Sequence, residues 1–304
     1  MLPHRRLGNS DLHVSPVALG CWPLAGITSG AMSDGEAAAV IDAALDAGIN
    51  HLDTAYAYGR DGESQRRVGN AIRERHDGVV LADKVGVYWN DEGNIACTGR
   101  PELLERHFDE SLKRLGLDHV DLLYFHAPAD DAPIAESAGF FAQTLASGKA
   151  RAVGVSNLSV AQIEAFTAEC PAVACQIRYN MLQREAEADI VPWCRAHDMS
   201  VVAYEPLAMG LLTGKFARDH VFAADDWRRQ SPLFSGAAWT ENINTVERLR
   251  PLAESAGCSV AQLAVSWTVS RPGITVALCG AKRPEQISDT ASINKNTLSF
   301  AEKI

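Results

Sequence analysis

The sequence predicts a single (β/α)8 barrel spanning residues 1–304, and three observations carry that expectation. Short apolar runs alternate with helix-periodic stretches from residue 17 to residue 277 and beyond, giving eight strand candidates. Three of those runs end on chemistry-bearing side chains, Asp53, Lys84 and His126, and closing parallel strands into a barrel brings such ends to one face. The glycine-rich phosphate turn of the competing doubly wound sheet is missing: residues 14–22 and 68–72 lack G-x-G-x-x-G, and no G-x-x-x-x-G-K-[ST] occurs.

The elements follow in order. Arg5 to Leu7 and Leu12 to Val14 flank the polar turn Gly8-Asn9-Ser10-Asp11 and read as a hairpin. Val17 to Leu19 is the first inner strand, followed at the functional face by Gly20, Cys21 and Trp22. Apolar residues at 37, 38, 40, 41, 44 and 45 keep helical spacing, Ser33 with Glu36 forms a capping box, and Gly48 stops the helix. The alternation repeats as strand Asn50 to Asp53, helix Glu63 to Arg75, strand Val79 to Lys84, and helix Pro101 to Leu115 stopped by Gly116. It continues as strand Asp121 to His126, helix Pro133 to Ser147, strand Ala152 to Val155, and a helix capped by Ser159 and Gln162. Strand Val173 to Ile177, helix Glu185 to His197, strand Val201 to Tyr204, helix Ile243 to Ala256, strand Ile274 to Ala277 and a last helix from Pro284 complete it. Residues 205–242 hold few regular elements, and loops that long in compact domains are usually functional or disordered.

Composition narrows the function classes. With 47% apolar residues and no uninterrupted apolar run of about 18 or more, no membrane span is expected. Residues 1–20 show no charged-then-apolar leader, so a cytoplasmic protein is expected. A formal charge of -10 leaves no broad basic surface to neutralise phosphates, which argues against nucleic-acid binding. The cysteines at 21, 97, 170, 175, 194, 258 and 279 form no C-x-x-C pair and read as free thiols. The nine histidines show no H-E-x-x-H or clustered ligand spacing, so no metal site is expected.

The stretch N-H-L-D-T-A-Y-A-Y-G at residues 50–59 places a phenol, Tyr58, five residues beyond the strand-end carboxylate of Asp53. Taken singly, Asp53 reads as a turn aspartate, Tyr58 as one tyrosine among six, and Lys84 as a solvated strand end. His126 is harder to dismiss, because it closes an apolar strand and precedes Ala127-Pro128, which does not fit a solvated loop.

Together, D-T-A-x-x-Y at residues 53–58, D-K-V-G at 83–86 and D-L-L-Y-F-H-A-P at 121–128 resemble the catalytic motifs of the aldo-keto reductases. G-V-S-N at 154–157, A-Y-E-P-L at 203–207 and G-A-K-R-P-E-Q at 280–286 extend the resemblance across nearly the whole chain. It implies that Asp53, Tyr58, Lys84 and His126 form one catalytic set, and that the N-terminal hairpin closes the barrel bottom. The chemistry agrees: reducing a carbonyl by hydride leaves charge on oxygen, which needs a proton donor held in place. A cation such as Lys84 lowers the pKa of a nearby phenol, Asp53 would keep Lys84 charged, and a neutral His126 would donate to the substrate carbonyl.

By the same resemblance, Ser156, Asn157 and Gln176 hydrogen-bond a nicotinamide carboxamide and Tyr204 stacks on its ring. From the residues alone, Ser156-Asn157 is also a turn leading into a helix, and Gln176 a satisfied core amide. Pro206, Leu207, Met209, Gly210, Leu211 and Lys215 match the segment covering the pyrophosphate. Gly280 leads to Lys282 and Arg283 at a helix start, where backbone N–H groups favour anions, and these cations would hold the 2'-phosphate of NADP(H), with NAD(H) the alternative. Gln286 and Asp289 match positions contacting the adenosine. A carboxylate at Glu205 would repel a diphosphate, so either its side chain points away or the cofactor path differs there.

Trp22, Tyr56, Tyr88 and Trp89, with a loop holding Trp227, Arg228, Arg229 and Phe234, would form the wall around a small carbonyl or sugar substrate. Trp22 reads equally as a packing residue of the barrel mouth. Two readings stand beside the reductase: a Schiff-base aldolase using Lys84, and a nucleotide-binding regulatory subunit without turnover, as in relatives that serve ion channels.

Overall fold

The strand period of two decides what the barrel encloses. A computed structural model describes residues 3–302 apart from residues 28, 29, 76 and 225. In chain order the strands are β1 (Arg5–Arg6), β2 (His13–Val14), β3 (Val17–Gly20), β4 (His51–Asp53), β5 (Val80–Val85), β6 (Val87–Trp89), β7 (Ile95–Cys97), β8 (Val120–Phe125), β9 (Ala150–Ser156), β10 (Ala174–Arg178), β11 (Ser200–Tyr204) and β12 (Ile274–Gly280). Strands β3, β4, β5, β8, β9, β10, β11 and β12 pair in parallel in that order and close on β3. Alternate residues such as Val80 and Ala82, Leu122 and Tyr124, and Val276 and Leu278 fill the interior as one apolar cluster. One step further along each strand, the same inward alternation reaches polar residues: Asp53, Lys84, His126, Ser156, Arg178 and Tyr204 stand at or next to the C-terminal strand ends.

The lower opening is shut by the β1–β2 hairpin, whose flanking residues Leu7, Leu12 and Val14 join the interior cluster. Its tip approaches too closely for a side chain: a Cβ on Gly8, at φ +52°, would fall 2.1 Å from Val173 O. The Gly8 N–H donates to Ser200 Oγ at 2.7 Å, and Arg5 Nη1 donates to the carbonyls of Val269, Ile274 and Thr275.

The outer ring is α1 (Asp34–Asp46), α2 (Glu63–Ile72), α3 (Pro101–Leu115), α4 (Ile134–Ala146), α5 (Val160–Thr167), α6 (Ile190–Ala196), α7 (Gly236–Ser255), α8 (Val260–Ser270), α9 (Pro284–Ala291) and α10 (Lys295–Ala301). Their apolar stripes meet the outward-facing strand residues in a second, larger core that includes Ile41, Leu81, Phe108, Leu123, Phe141 and Phe166. The expected capping boxes form at Ser33–Glu36 and Ser159–Gln162, and α3 ends at Gly116 in a left-handed conformation.

The departures are instructive. Sequence patterning missed α8, because nine of its 11 residues are buried and a helix that is apolar all round shows no amphipathic contrast. The expected helix at 185–197 is a 3-10 turn (Glu185–Glu187) followed by α6, which starts only after Asp189 caps it. Helix α7 begins at Gly236, earlier than the expected Ile243, and β6 with β7 forms an unforeseen hairpin beyond β5. Among the described residues, no helix is long and apolar enough to cross a membrane.

Candidate active site

Strand β4 ends on Asp53, strand β5 carries Lys84 one residue from its end, and the loop after β4 turns back so that Tyr58 meets Lys84. The loop is pinned by backbone bonds: Thr54 N donates to Ala82 O, Tyr56 N to Lys84 O and Tyr58 N to Ala55 O. Lys84 is fully buried, and its ammonium donates to Asp53 Oδ1, to Thr54 O at 3.0 Å and to Tyr58 OH at 3.1 Å, using all three donors. The other oxygen of Asp53 accepts from Gln176 Nε2 at 2.8 Å. Behind the loop, Thr54 Oγ1 and Ser64 Oγ lie 2.9 Å apart, and Ser64 Oγ donates to Cys21 O.

Rings surround the phenol. Trp22 packs edge-on to Tyr58 at 5.0 Å between centroids, and His126 lies on another side at 5.9 Å. His126 Nδ1 is buried without a protein hydrogen-bond partner among the described residues. Burial, and then the charge of Lys84, hold the His126 imidazole well below its ordinary pKa, so it is neutral at physiological pH.

The same balance corrects the expectation for Tyr58. Lys84 does pull the phenol down, but burial outweighs it and pushes the pKa up to about 12. For Lys84 the balance is reversed: burial pushes the ammonium down, but Asp53 and Tyr58 outweigh it and hold the group above the ordinary lysine value. The site therefore favours a protonated phenol beside a charged ammonium.

Two expected substrate contacts are not at this cluster. The Tyr56 ring stacks on His107 of α3 at 4.2 Å, its hydroxyl donates to Glu110, and the Arg114 guanidinium covers it, so α3 draws it away from Tyr58. Tyr88 lies against the same His107 at 5.2 Å. Trp89 stays beside the loop after β4, donating from Nε1 to Ala57 O with Arg60 over its ring.

On the far side of the mouth, Tyr204 OH donates to Asn157 Oδ1 at 2.8 Å, and Asn157 Nδ2 donates to Ser156 Oγ and to the His126 carbonyl. The expected group Ser156, Asn157, Gln176 and Tyr204 is thus brought together, with Gln176 also holding Asp53. Glu205 turns onto Arg178, with Oε2 3.2 Å from Nε, so its carboxylate is paired with a guanidinium. Beyond it, Pro206 and Leu207 lead into an irregular turn in which Ala208, Met209 and Gly210 all adopt positive φ. Lys215 follows, its ammonium 4.9 Å from the Phe216 ring centroid.

At β12, Gly280 leads to Lys282 and Arg283, whose backbone amides, just before α9, both donate to Gln286 Oε1. Asp289 faces α8, accepting from Ser259 Oγ and Gln262 Nε2, so its carboxylate serves a helix junction. Arg228 and Phe234 are also reassigned. Phe234 packs against Phe216, Phe222 and Trp239, while Arg228 pairs with Asp226 and covers the Phe216 and Phe222 rings. Trp227, 38% exposed, stays at the surface of that loop beside Arg229.

Arg228 therefore shares the Phe216 ring with Lys215. Burial first, then Arg228, Arg283 and Lys282, push the Lys215 ammonium below its ordinary value. Burial and then Arg228 do the same to Lys282. Four cations converge where the nearby Asp226 already serves Arg228, a donor set that fits a ligand bearing several phosphates. The sequence reading put Arg228 in the substrate wall, because in a loop of irregular residues no periodicity gives a side-chain direction.

A sequence profile described as the aldo/keto reductase family matches residues 16–302. The chain is 35% identical to the aldo-keto reductase YhdN of Bacillus subtilis over 99% of its length and 92% of the relative's. It is 30% identical to the NADH-specific methylglyoxal reductase of Escherichia coli, over 97% and 94% of the two chains. Among solved structures, the glycerol dehydrogenase AKR11B4 of Gluconobacter oxydans superposes with a TM-score of 0.89 at 34% identity, covering 99% of this chain and 94% of that one.

Proposed function

The chain belongs to the aldo/keto reductase family, and from that premise we propose that it transfers hydride between NADP(H) and the carbonyl of an aldehyde, ketone or sugar. The observation that carries this reading is Tyr58 OH held 3.1 Å from the buried, charged ammonium of Lys84. The nicotinamide, when bound, supplies the hydride. Tyr58 holds the proton that the new alkoxide takes, and Lys84 stabilises the phenolate left behind. Asp53 keeps Lys84 charged and oriented, and Gln176 orients Asp53 in turn. Neutral His126 and the Trp22 edge wall the space beside the phenol, where a carbonyl oxygen can take hydrogen bonds from both His126 and Tyr58.

Ser156, Asn157 and Gln176 would hold the carboxamide, and Tyr204 would support the ring. Pro206, Leu207, Met209, Gly210 and Lys215 would cover the diphosphate, with Arg228 joining Lys282 and Arg283 at the 2'-phosphate. The state of Lys84 speaks against the aldolase reading: a Schiff base starts from the free amine, and Asp53 holds this lysine charged.

The test is to titrate NADPH and NADH into the protein, then follow loss of reduced-nicotinamide absorbance with a panel of aldehydes, ketones and sugars. Turnover of at least one carbonyl with NADPH, and tighter binding of NADPH than NADH, support the reading. NADPH binding with no turnover on any of them would favour the regulatory-subunit reading.

A further inference from the structure

A second electrostatic unit stands at the barrel mouth, outside the hydride-transfer set. Arg178 is the last residue of β10, two positions beyond Gln176 and so on the same inward face, and it pairs in register with Tyr204 of β11. Its Nε lies 3.2 Å from Glu205 Oε2, while its guanidinium carbon lies 5.7 Å from the Tyr204 ring centroid. Glu205 adopts φ +55°, a left-handed backbone that disfavours a residue with a Cβ by about 1–2 kcal/mol. Its carbonyl is held there by Asn180 Nδ2 at 3.0 Å. From Tyr204 the contacts run through its hydroxyl to Asn157 Oδ1 at 2.8 Å, then from Asn157 Nδ2 to the His126 carbonyl at 3.1 Å. Asn157 is also left-handed, at φ +60°.

An ion pair with its arginine 51% exposed contributes little to stability by itself. What separates this pair from other surface pairs is that each following contact is a residue of the site, and that two non-glycine residues along the path are held in a costly backbone. We propose that the Arg178–Glu205 ion pair is a positioning unit for the Tyr204 platform. It sets the plane on which the nicotinamide stacks and, through Asn157, the placement of the His126 segment. The proposal rests on the nicotinamide-binding reading above and deepens it. Arg178 suits the task because a planar guanidinium can pair with a carboxylate along its edge while stacking on a ring through its face, which an ammonium does less well.

The test uses the full chain and NADPH, titrated by its own fluorescence, alongside steady-state kinetics with an aldehyde that the unmutated protein reduces. Arg178→Met should weaken NADPH about tenfold, equivalent to about 1.4 kcal/mol, and lower kcat, while the unfolding midpoint stays nearly unchanged. Arg178→Lys should restore part of the loss, and Glu205→Gln should show a smaller loss of the same kind. The double variant Arg178→Met with Glu205→Gln should be no worse than Arg178→Met alone, because both changes break one unit. Unchanged affinity and kcat in Arg178→Met, additive losses in the double variant, or losses that merely track a falling midpoint would each overturn the proposal. Should Arg178→Met not fold, Glu205→Gln decides alone, and unaltered NADPH affinity there overturns it. An unmutated protein that binds neither NADPH nor NADH removes the underlying reading and the proposal with it, a result distinct from failure in the variants only.

Discussion

Replacing Lys84 by Met and Asp53 by Asn together should destabilise the protein by less than the two single replacements added. Lys84 and Asp53 are both entirely buried, and once the ammonium is gone Asp53 keeps, among the described residues, Gln176 Nε2 as its side-chain donor. A carboxylate is then stranded in the barrel interior, and breaking a buried pair from one side costs about 3–5 kcal/mol. Thr54 O and Tyr58 OH lose a donor as well, at 3.0 and 3.1 Å in the intact protein. Combining Lys84→Met with Asp53→Asn removes both charges, and the coupling between contacting residues should leave the double variant about 0.5–3 kcal/mol less destabilised than the sum of the two singles. The assay is urea unfolding at pH 7 for the four members of the cycle, read by tryptophan fluorescence and circular dichroism, with coincident transitions required before free energies are compared. Turnover should collapse in Lys84→Met, chiefly through kcat, because Tyr58 loses the cation that stabilises its phenolate. Single-variant costs that add to within about 0.5 kcal/mol would refute the view of Asp53 and Lys84 as one buried unit.

Three further outcomes follow from the same geometry. Tyr58→Phe should lose roughly two to four decades of carbonyl reduction while NADPH affinity, measured by fluorescence titration, stays nearly constant; full activity would remove the phenol from its role. Lys282→Ala should weaken NADPH by about one to two decades and leave NADH almost untouched, with Arg283→Ala weaker in the same sense and both effects shrinking at high salt; equal dissociation constants for the two nucleotides in the unmutated protein would sink this. Burial raises the Asp83 carboxyl from 3.8 to about 6 despite its bond from Gln65, so the folded state binds the proton more tightly than the unfolded chain does. The resulting penalty is absent below pH 3.8 and complete above about pH 6, so Asp83→Asn should flatten the decline of stability across that window and gain up to about 3 kcal/mol at pH 7. Parallel stability–pH curves for the variant and the unmutated protein would contradict it.

Much of this molecule could be read in one dimension. Alternation of the periods 2 and 3.6 marks eight strands, and a strand end is itself a position in a barrel, so Asp53, Lys84 and His126 could be placed at one mouth before any coordinate was known. Capping boxes and the glycine stop of α3 are equally local, since donors and acceptors lie within four residues of each other. Three features were decided only by tertiary packing. The first is direction in loops: Tyr56 and Tyr58 are two residues apart, yet one meets α3 and the other Lys84, because no period governs an irregular segment. The second is the competition among polar groups, which gives the amides of Lys282 and Arg283 to Gln286, Asp289 to α8, and Glu205 to Arg178, a partner 27 residues away. The third is burial, which reverses the expected sign at Tyr58 and hides α8 behind uniform apolarity. A sequence names the charges that can meet; how far water is excluded from them, and therefore which charge state wins, is a property of the packed barrel.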